Sequence, residues 1–246
     1  MESVNSHLER HKRHILLKDI GGPGVKKLGQ AHVSIIGAGA LGGPCALYLA
    51  AAGVGTIELW DDDTVDRSNL QRQVQFRDAD IGQAKAVLLA DRMIALNPDI
   101  DVQARTERFT AGSAPAGGIL IDATDNFDAR FALNRFAHTA GRYLVSGAAS
   151  QWSGQVSVYA SGIEANAPCY QCFVPETPPE AEACDEVGVV GALTGMVGTR
   201  MALEAIKLIT GAGKSLIGQL LIIDGLSGES RVLKLRPNPD CPVCGA

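Results

Sequence analysis

A strand, a glycine turn and a helix in immediate succession leave a chain few folds to choose from. His32 to Ile36 reads as a buried strand, Gly37-Ala38-Gly39-Ala40-Leu41-Gly42 follows it, and Leu41 to Ala52 has the length and composition of a helix. Gly37 permits the tight turn, Gly39 lets backbone N–H groups approach a phosphate, and Gly42 lets helix and strand pack closely. A second strand, Thr56 to Trp60, ends at Asp61, which lies 19 residues beyond Gly42. An acid there suits ribose hydroxyls. The expectation is a nucleotide-binding α/β fold with its ligand at the carboxyl edge of a parallel sheet.

The same grammar continues. Gln83 to Leu96 has helical spacing and stops at Asn97-Pro98, Asp101 to Arg105 reads as the third strand, and Gly118 to Ile121 as a short buried fourth. Asp122-Ala-Thr-Asp125-Asn126 then stands at that strand's carboxyl end, ahead of a helix over Phe127 to Ala140. From Tyr143 the pattern changes: Leu144 to Ala148 and Gln155 to Ala160 are joined by a few residues including Gly154, which predicts antiparallel pairing. Leu220 to Asp224 and Arg231 to Leu235 read as a final hairpin. The fold class is therefore α/β, a Rossmann-like three-layer fold with a mixed sheet, parallel in its N-terminal half and antiparallel in its C-terminal half. Gly21-Gly-Pro-Gly24 reads as a turn after a basic N-terminal helix. A long helix over Ala192 to Ile209 carries Gly195, Gly198, Ala202 and Ala205, small residues that admit a close neighbour. Residues 1–246 are read as one domain, with an N-terminal helical segment (1–30), a nucleotide-binding half (31–142) and a second half (143–246).

Composition excludes some classes. An apolar share of 46% and a charged share of 20% belong to a globular protein, and no apolar run has the length of a membrane span. Net charge is 22 minus 27, or −5, which argues against a general affinity for nucleic acid; Arg10, Lys12 and Arg13 form the one strong basic cluster. The first residues carry no apolar segment of the secretory kind, so a cytoplasmic location is expected.

Behind Asp61 the chain adds what a hydride-transfer enzyme does not need. Asp61-Asp-Asp-Thr-Val-Asp-Arg-Ser-Asn69-Leu-Gln-Arg72-Gln73 brings an arginine and amides to the binding edge, and Lys85 follows near the start of the next helix. Such groups clamp a polyphosphate. Asp62 and Asp63 compete with Asp61 but read as solvated or capping. Asp125 is the candidate for Mg²⁺, since a magnesium ion bridging phosphates takes one or two protein carboxylates and keeps its waters; a helix cap would use the same residue type. Asp122, more nearly within its strand, is less free.

Six cysteines in a chain of this kind point to metal or reactive thiols. Cys169-x-x-Cys172 and Cys241-x-x-Cys244, with 68 residues between the pairs, supply four thiolates for a structural tetrahedral Zn²⁺ site. With every ligand place filled by protein, that metal takes no part in chemistry. Cys45 reads as a small buried hydrophobe. Cys184 lies in a loop rich in Pro and Glu, where a thiol can be reached, although Glu182, Asp185 and Glu186 disfavour its thiolate.

Taken in order, GAGALGG, DDDTVDRSNLQRQ, GQAKA, DATDN, CYQC and CPVC resemble the ThiF/MoeB/HesA family of the ubiquitin-activating-enzyme superfamily, from Arg10 to Cys244. Within it, SGAAS at 146–150 is most similar to the molybdopterin-synthase adenylyltransferase, with the thiamine-pathway member as close rival. The resemblance implies ATP-dependent adenylation of the C-terminal glycine carboxylate of a ubiquitin-like sulfur carrier ending in Gly-Gly. It implies that Asp61 holds the ribose, Asn69, Arg72 and Lys85 the phosphates, and Asp125 the magnesium. It further implies a homodimer in which Arg13 enters the partner's site, and a sulfur donor separate from the chain. Cys184 matches a loop cysteine that some members acylate and others do without. Two other classes share part of the pattern: an NAD-dependent dehydrogenase, which leaves Arg72, Lys85 and Asp125 unexplained, and a non-catalytic scaffold, which has no use for a phosphate clamp.

Overall fold

The computed structural model describes residues 2–178 and 188–245, with side chains from residue 8 onward. Eight strands form one sheet: β1 (His32–Ile36), β2 (Thr56–Trp60), β3 (Asp101–Arg105), β4 (Ile119–Asp122), β5 (Tyr143–Ser150), β6 (Ser153–Tyr159), β7 (Gln219–Asp224) and β8 (Ser230–Lys234). Their order is β3-β2-β1-β4-β5-β6-β7-β8. Pairing is parallel from β3 through β5 and antiparallel from β5 through β8. The mixed sheet expected from the sequence is therefore present, and the crossover between β1 and β4 opens a crevice at their carboxyl ends.

Alternation along the strands divides the core. Val33, Ile35, Ile57, Leu59, Ile121 and Val145 face a cluster built with α2 (Gly21–Gln30), α3 (Gly42–Ala52), α4 (Lys85–Leu96) and α7 (Gly191–Thr210). Ile36, Trp60, Leu120, Leu144 and Tyr159 face the other side, against α5 (Phe127–Thr139) and the short α6 (Tyr170–Phe173). Period-2 burial on both faces makes three layers. An N-terminal helix, α1 (Glu2–Ile15), packs on α2 and buries His11, which lies against Gly53.

Three local expectations need correction. Gly21-Gly-Pro-Gly24 is not a free-standing turn but the opening of α2; Pro23 sits in the first helical turn, where its missing N–H has no partner to lose. Gly154 lies inside β6, paired with Ala149, and the hairpin turn falls at Gln151 and Trp152, so β5 and β6 run longer than their apolar cores suggest. In α7 the close approach occurs at Gly198, where an added Cβ would stand 2.4 Å from Leu41 O, whereas Gly195 faces open space. Among the described residues no helix is long and apolar enough to cross a membrane.

Candidate active site

A cleft of about 1060 Å³ opens along the carboxyl ends of β1, β2, β4 and β5. The glycine turn forms its floor. Gly37 has φ +99° and donates its N–H to Trp60 O at 2.8 Å; a Cβ there would stand 2.5 Å from Ala123 O. A Cβ on Gly42 would stand 1.7 Å from Gly37 O, so helix and turn meet with no room for a side chain. At Gly39 the nearest atom to an added Cβ is Gln73 Nε2, 3.4 Å away. The chain's packing nearly tolerates a methyl at that position, and Gly39 lines the cleft.

Asp61 holds this turn to the end of β2. Its Oδ2 accepts from Ala38 N at 2.7 Å and its Oδ1 from Asp63 N at 2.9 Å. Burial holds the carboxyl above its usual range, with the two amides and Lys85 opposing. Lys85, the first residue of α4, is buried and places Nζ 2.8 Å from Asp63 Oδ2. Asp63 is exposed, as expected of a solvated residue, and serves in addition as the ion-pair partner of Lys85. Arg72 lines the same cleft, its Nη1 donating to Ser68 O at 3.0 Å. Asn69 does not line the cleft; its carbonyl accepts from Arg72 N and Gln73 N, which closes the turn that carries Arg72.

Across the cleft stands Asp125, exposed, its carboxylate without a hydrogen bond or ion pair to any described residue. The helix cap is made by Asn126 instead, whose side chain accepts from Ala129 N at 2.9 Å. Asp122 is fully buried at the end of β4, as its place in the strand suggested, with Arg130 Nε 3.4 Å away. Thus Gly37, Gly39, Asp61, Arg72, Lys85 and Asp125 converge on one cleft. Arg13 lies exposed on α1, outside the cleft of its own chain. Cys184 belongs to residues 179–187, outside the described residues.

Several contributors escape sequence reasoning. Gln75 Nε2 donates to Ala38 O and Gly39 O, both at 3.0 Å, and so braces the glycine turn from a distance of 36 residues or more along the chain. Arg108, Arg130 and Ser146 also line the cleft. Ser146 stands in the SGAAS segment and donates to Asp122 Oδ2 at 2.7 Å, whereas Arg130 stands in no motif and reaches main-chain acceptors that only the fold brings close.

At the far end of the second layer Cys169, Cys172, Cys241 and Cys244 bring their sulfurs within 4.8 Å of one another. Cys169 and Cys241 sulfurs are 3.4 Å apart and those of Cys172 and Cys244 3.3 Å, well beyond a disulfide bond. Four thiolates around zinc at about 2.3 Å stand roughly 3.8 Å from one another. The cluster fits that donor set. Asn134 Nδ2 donates to Cys169 Sγ at 3.6 Å and Asn238 N to Cys172 Sγ at 3.3 Å, the outer bonds that orient metal-ligating sulfur. Cys45 is buried in the first core cluster, as expected of a small hydrophobe.

The ThiF family model matches residues 11–243. A sulfur carrier protein adenylyltransferase of Thermus thermophilus is 40% identical over 253 residues, covering 100% of this chain and 93% of that protein. The SAMP-activating enzyme E1 of Haloferax volcanii is 41% identical over 246 residues, 98% of this chain and 90% of that protein. An adenylyltransferase and sulfurtransferase, MOCS3-1 of Zea mays, is 41% identical over 243 residues, but the match spans only 51% of its length. Among solved structures, E. coli MccB with AMPCPP and MccA superposes with a TM-score of 0.83 at 20% identity, covering 98% of this chain and 75% of that one. That likeness speaks for the fold. The chain belongs to the ThiF family. It is an enzyme of the adenylyltransferase class, which sets aside the dehydrogenase and scaffold readings.

Proposed function

We propose that the protein uses ATP to adenylate the C-terminal glycine carboxylate of a ubiquitin-like sulfur carrier ending in Gly-Gly, releasing pyrophosphate, for molybdopterin biosynthesis. The observation that carries this reading is the Asp125 carboxylate, without a partner among the described residues, lining one cleft with Lys85, Arg72 and the glycine turn. A carboxylate is already ionised at neutral pH, so its attack on the α-phosphorus needs alignment and charge neutralisation rather than a general base. One carboxylate oxygen forms a bond to phosphorus, the bridging bond to the β-phosphate breaks, and pyrophosphate departs with the electron pair.

In this reading Asp61 holds the ribose with the lone pairs left over from the two amides it accepts. Lys85 exchanges Asp63 for a phosphate oxygen, and Arg72 holds the departing groups. Asp125 would hold Mg²⁺, which supplies charge neutralisation at the phosphates. Asn69 keeps the phosphate role that the resemblance implies through the turn it closes beneath Arg72. The protein works in the cytoplasm as a homodimer whose Arg13 completes the partner's site, and the four cysteines hold a structural Zn²⁺. Cys184 is assigned no step in adenylation.

The test is incubation with ATP, Mg²⁺ and each of two carriers, one from molybdopterin and one from thiazole synthesis, followed by intact mass. An AMP adduct on the molybdopterin carrier is expected. An adduct on the thiazole carrier alone overturns the pathway, and no adduct with either overturns the substrate class.

A further inference from the structure

Arg130 lies in the floor of the cleft, its side chain 10% exposed, and no step above employs it. It sits near the start of α5 and reaches two separate walls. Nη2 donates to Thr124 O at 2.8 Å and to Gly147 O at 3.0 Å; Nη1 donates to Ser146 Oγ at 3.3 Å; Nε lies 3.4 Å from Asp122 Oδ2. The guanidinium also lies over the Tyr170 ring, 5.4 Å from its centroid. Thr124 belongs to the loop between β4 and α5, while Ser146 and Gly147 belong to β5.

The loop is fixed on both sides of Asp125. Asp122 Oδ1 accepts from Thr124 Oγ1 at 2.7 Å and from Thr124 N at 3.2 Å, while its Oδ2 accepts from Ser146 Oγ at 2.7 Å. With Arg130 on its carbonyl, Thr124 is held by amide, hydroxyl and carbonyl together. One residue further on, Asn126 is locked by its bond to Ala129 N. Asp125 between them has a constrained backbone and a side chain without a partner among the described residues. Tyr170 backs the arginine from the cysteine cluster, its N–H donating to Asn134 Oδ1 at 2.8 Å.

A buried Arg–Asp pair contributes little net stability compared with an apolar pair of the same volume, so stability alone does not account for it. What an arginine adds over a lysine is a rigid plane of donors that serves several acceptors together: Nη2 bonds the Thr124 and Gly147 carbonyls while Nη1 meets Ser146 Oγ and Nε lies beside Asp122. We propose that Arg130 is a positioning residue: by joining the Thr124 and Gly147 carbonyls it holds the Asp125 carboxylate where a phosphate-bound divalent cation is taken up. This rests on the reading of Asp125 as a magnesium ligand. Loosening the loop that carries the ligand is expected to weaken metal affinity by about 10- to 100-fold, the loss typical when the outer support of a metal ligand is removed.

Two full-length variants test it. Arg130→Lys keeps a charge beside Asp122 but cannot serve the Thr124 and Gly147 carbonyls, Ser146 Oγ and Asp122 together. Asp122→Asn combined with Arg130→Met removes both charges, so no buried ion is orphaned. The readouts are Mn²⁺ binding by electron paramagnetic resonance with a non-hydrolysable ATP analogue, the Mg²⁺ dependence of adenylate formation, the melting temperature and the zinc content. Both variants are expected to fold and keep zinc, to bind the analogue without divalent metal as the wild type does, and to bind Mn²⁺ about 10- to 100-fold more weakly. A folded Arg130→Lys or double variant with wild-type Mn²⁺ affinity overturns the proposal, and failure of both to fold reduces Arg130 to a structural role and overturns it too. If the wild type itself takes up no Mn²⁺ with the analogue, the Asp125 reading falls first and this one with it.

Discussion

A carboxylate that is to receive a cation has to be held still without being neutralised by whatever holds it. Asp125 meets both conditions because Asn126 takes over the helix cap and Asp122 takes the buried arginine. Asp125→Ala is therefore expected to lower adenylate formation by on the order of two to four powers of ten while melting temperature and zinc content stay at wild-type values. Mass analysis of the carrier and a thermal melt check this, and full turnover in the variant would refute the assignment. Lys85 carries the opposite charge. In Lys85→Met the Asp63 carboxylate loses its partner but remains exposed, so the fold should tolerate the change while pyrophosphate exchange falls by a factor on the order of 10² or more. These residues were legible in the sequence because each stands just past a strand end or at a helix start, on the edge where the glycine turn places a ligand. Gln75 and Arg130 were not legible. Gln75 bonds main-chain carbonyls and Arg130 does so in part, and such acceptors carry no residue identity.

Within single elements, what decides is how near the neighbours come. Gly198 on α7 meets Leu41 O, so Gly198→Ala should push α7 from α3 and cost about 1–3 kcal/mol, whereas Gly195→Ala, facing open space, should stabilise by about 0.4–1 kcal/mol. Paired chemical denaturation curves read both signs at once. The sequence showed a stripe of small residues but not which of them is in contact, since that depends on the angle between two helices. On β2, Glu58 is buried opposite Ser34 and Arg105. Burial alone would push its carboxyl up, but the Ser34 hydroxyl, the Ala116 amide and Arg105 outweigh burial and hold it below the usual range. A carboxyl depressed in the folded state stabilises above its unfolded pKa, and that contribution is lost as pH falls through the folded value. Glu58→Gln should then be less stable by roughly 1.5–3 kcal/mol at pH 7, with the gap to wild type closing below about pH 4, measured by denaturation across pH.

At the scale of the whole molecule, a tie joins regions remote in sequence. The cysteine cluster binds residues 169–172 to the last residues of the chain, 241–244. Elemental analysis should find about one zinc per chain, and chelation should lower the melting temperature and raise amide exchange first in residues 236–245. A second tie, between subunits, is what the proposed homodimer requires. If Arg13 serves the partner's site, mixing and reassociating inactive Arg13→Ala and Asp125→Ala chains in equal amounts should restore about a quarter of wild-type adenylation, because half the dimers are mixed and each has one complete site. No recovery in such mixtures would place Arg13 outside the chemistry.

By itself the sequence determined the parallel and antiparallel halves, the binding edge and the four sulfurs, since strand period, glycine turns and CxxC spacing are local constraints written in neighbouring residues. Only the tertiary structure decided which carboxylate stays open, which amide braces the glycine turn, and that Arg130 joins β5 to the Asp125 loop. Those outcomes depend on distances between segments far apart in the chain, and such distances exist only once the sheet has closed its order and the helices have packed upon it.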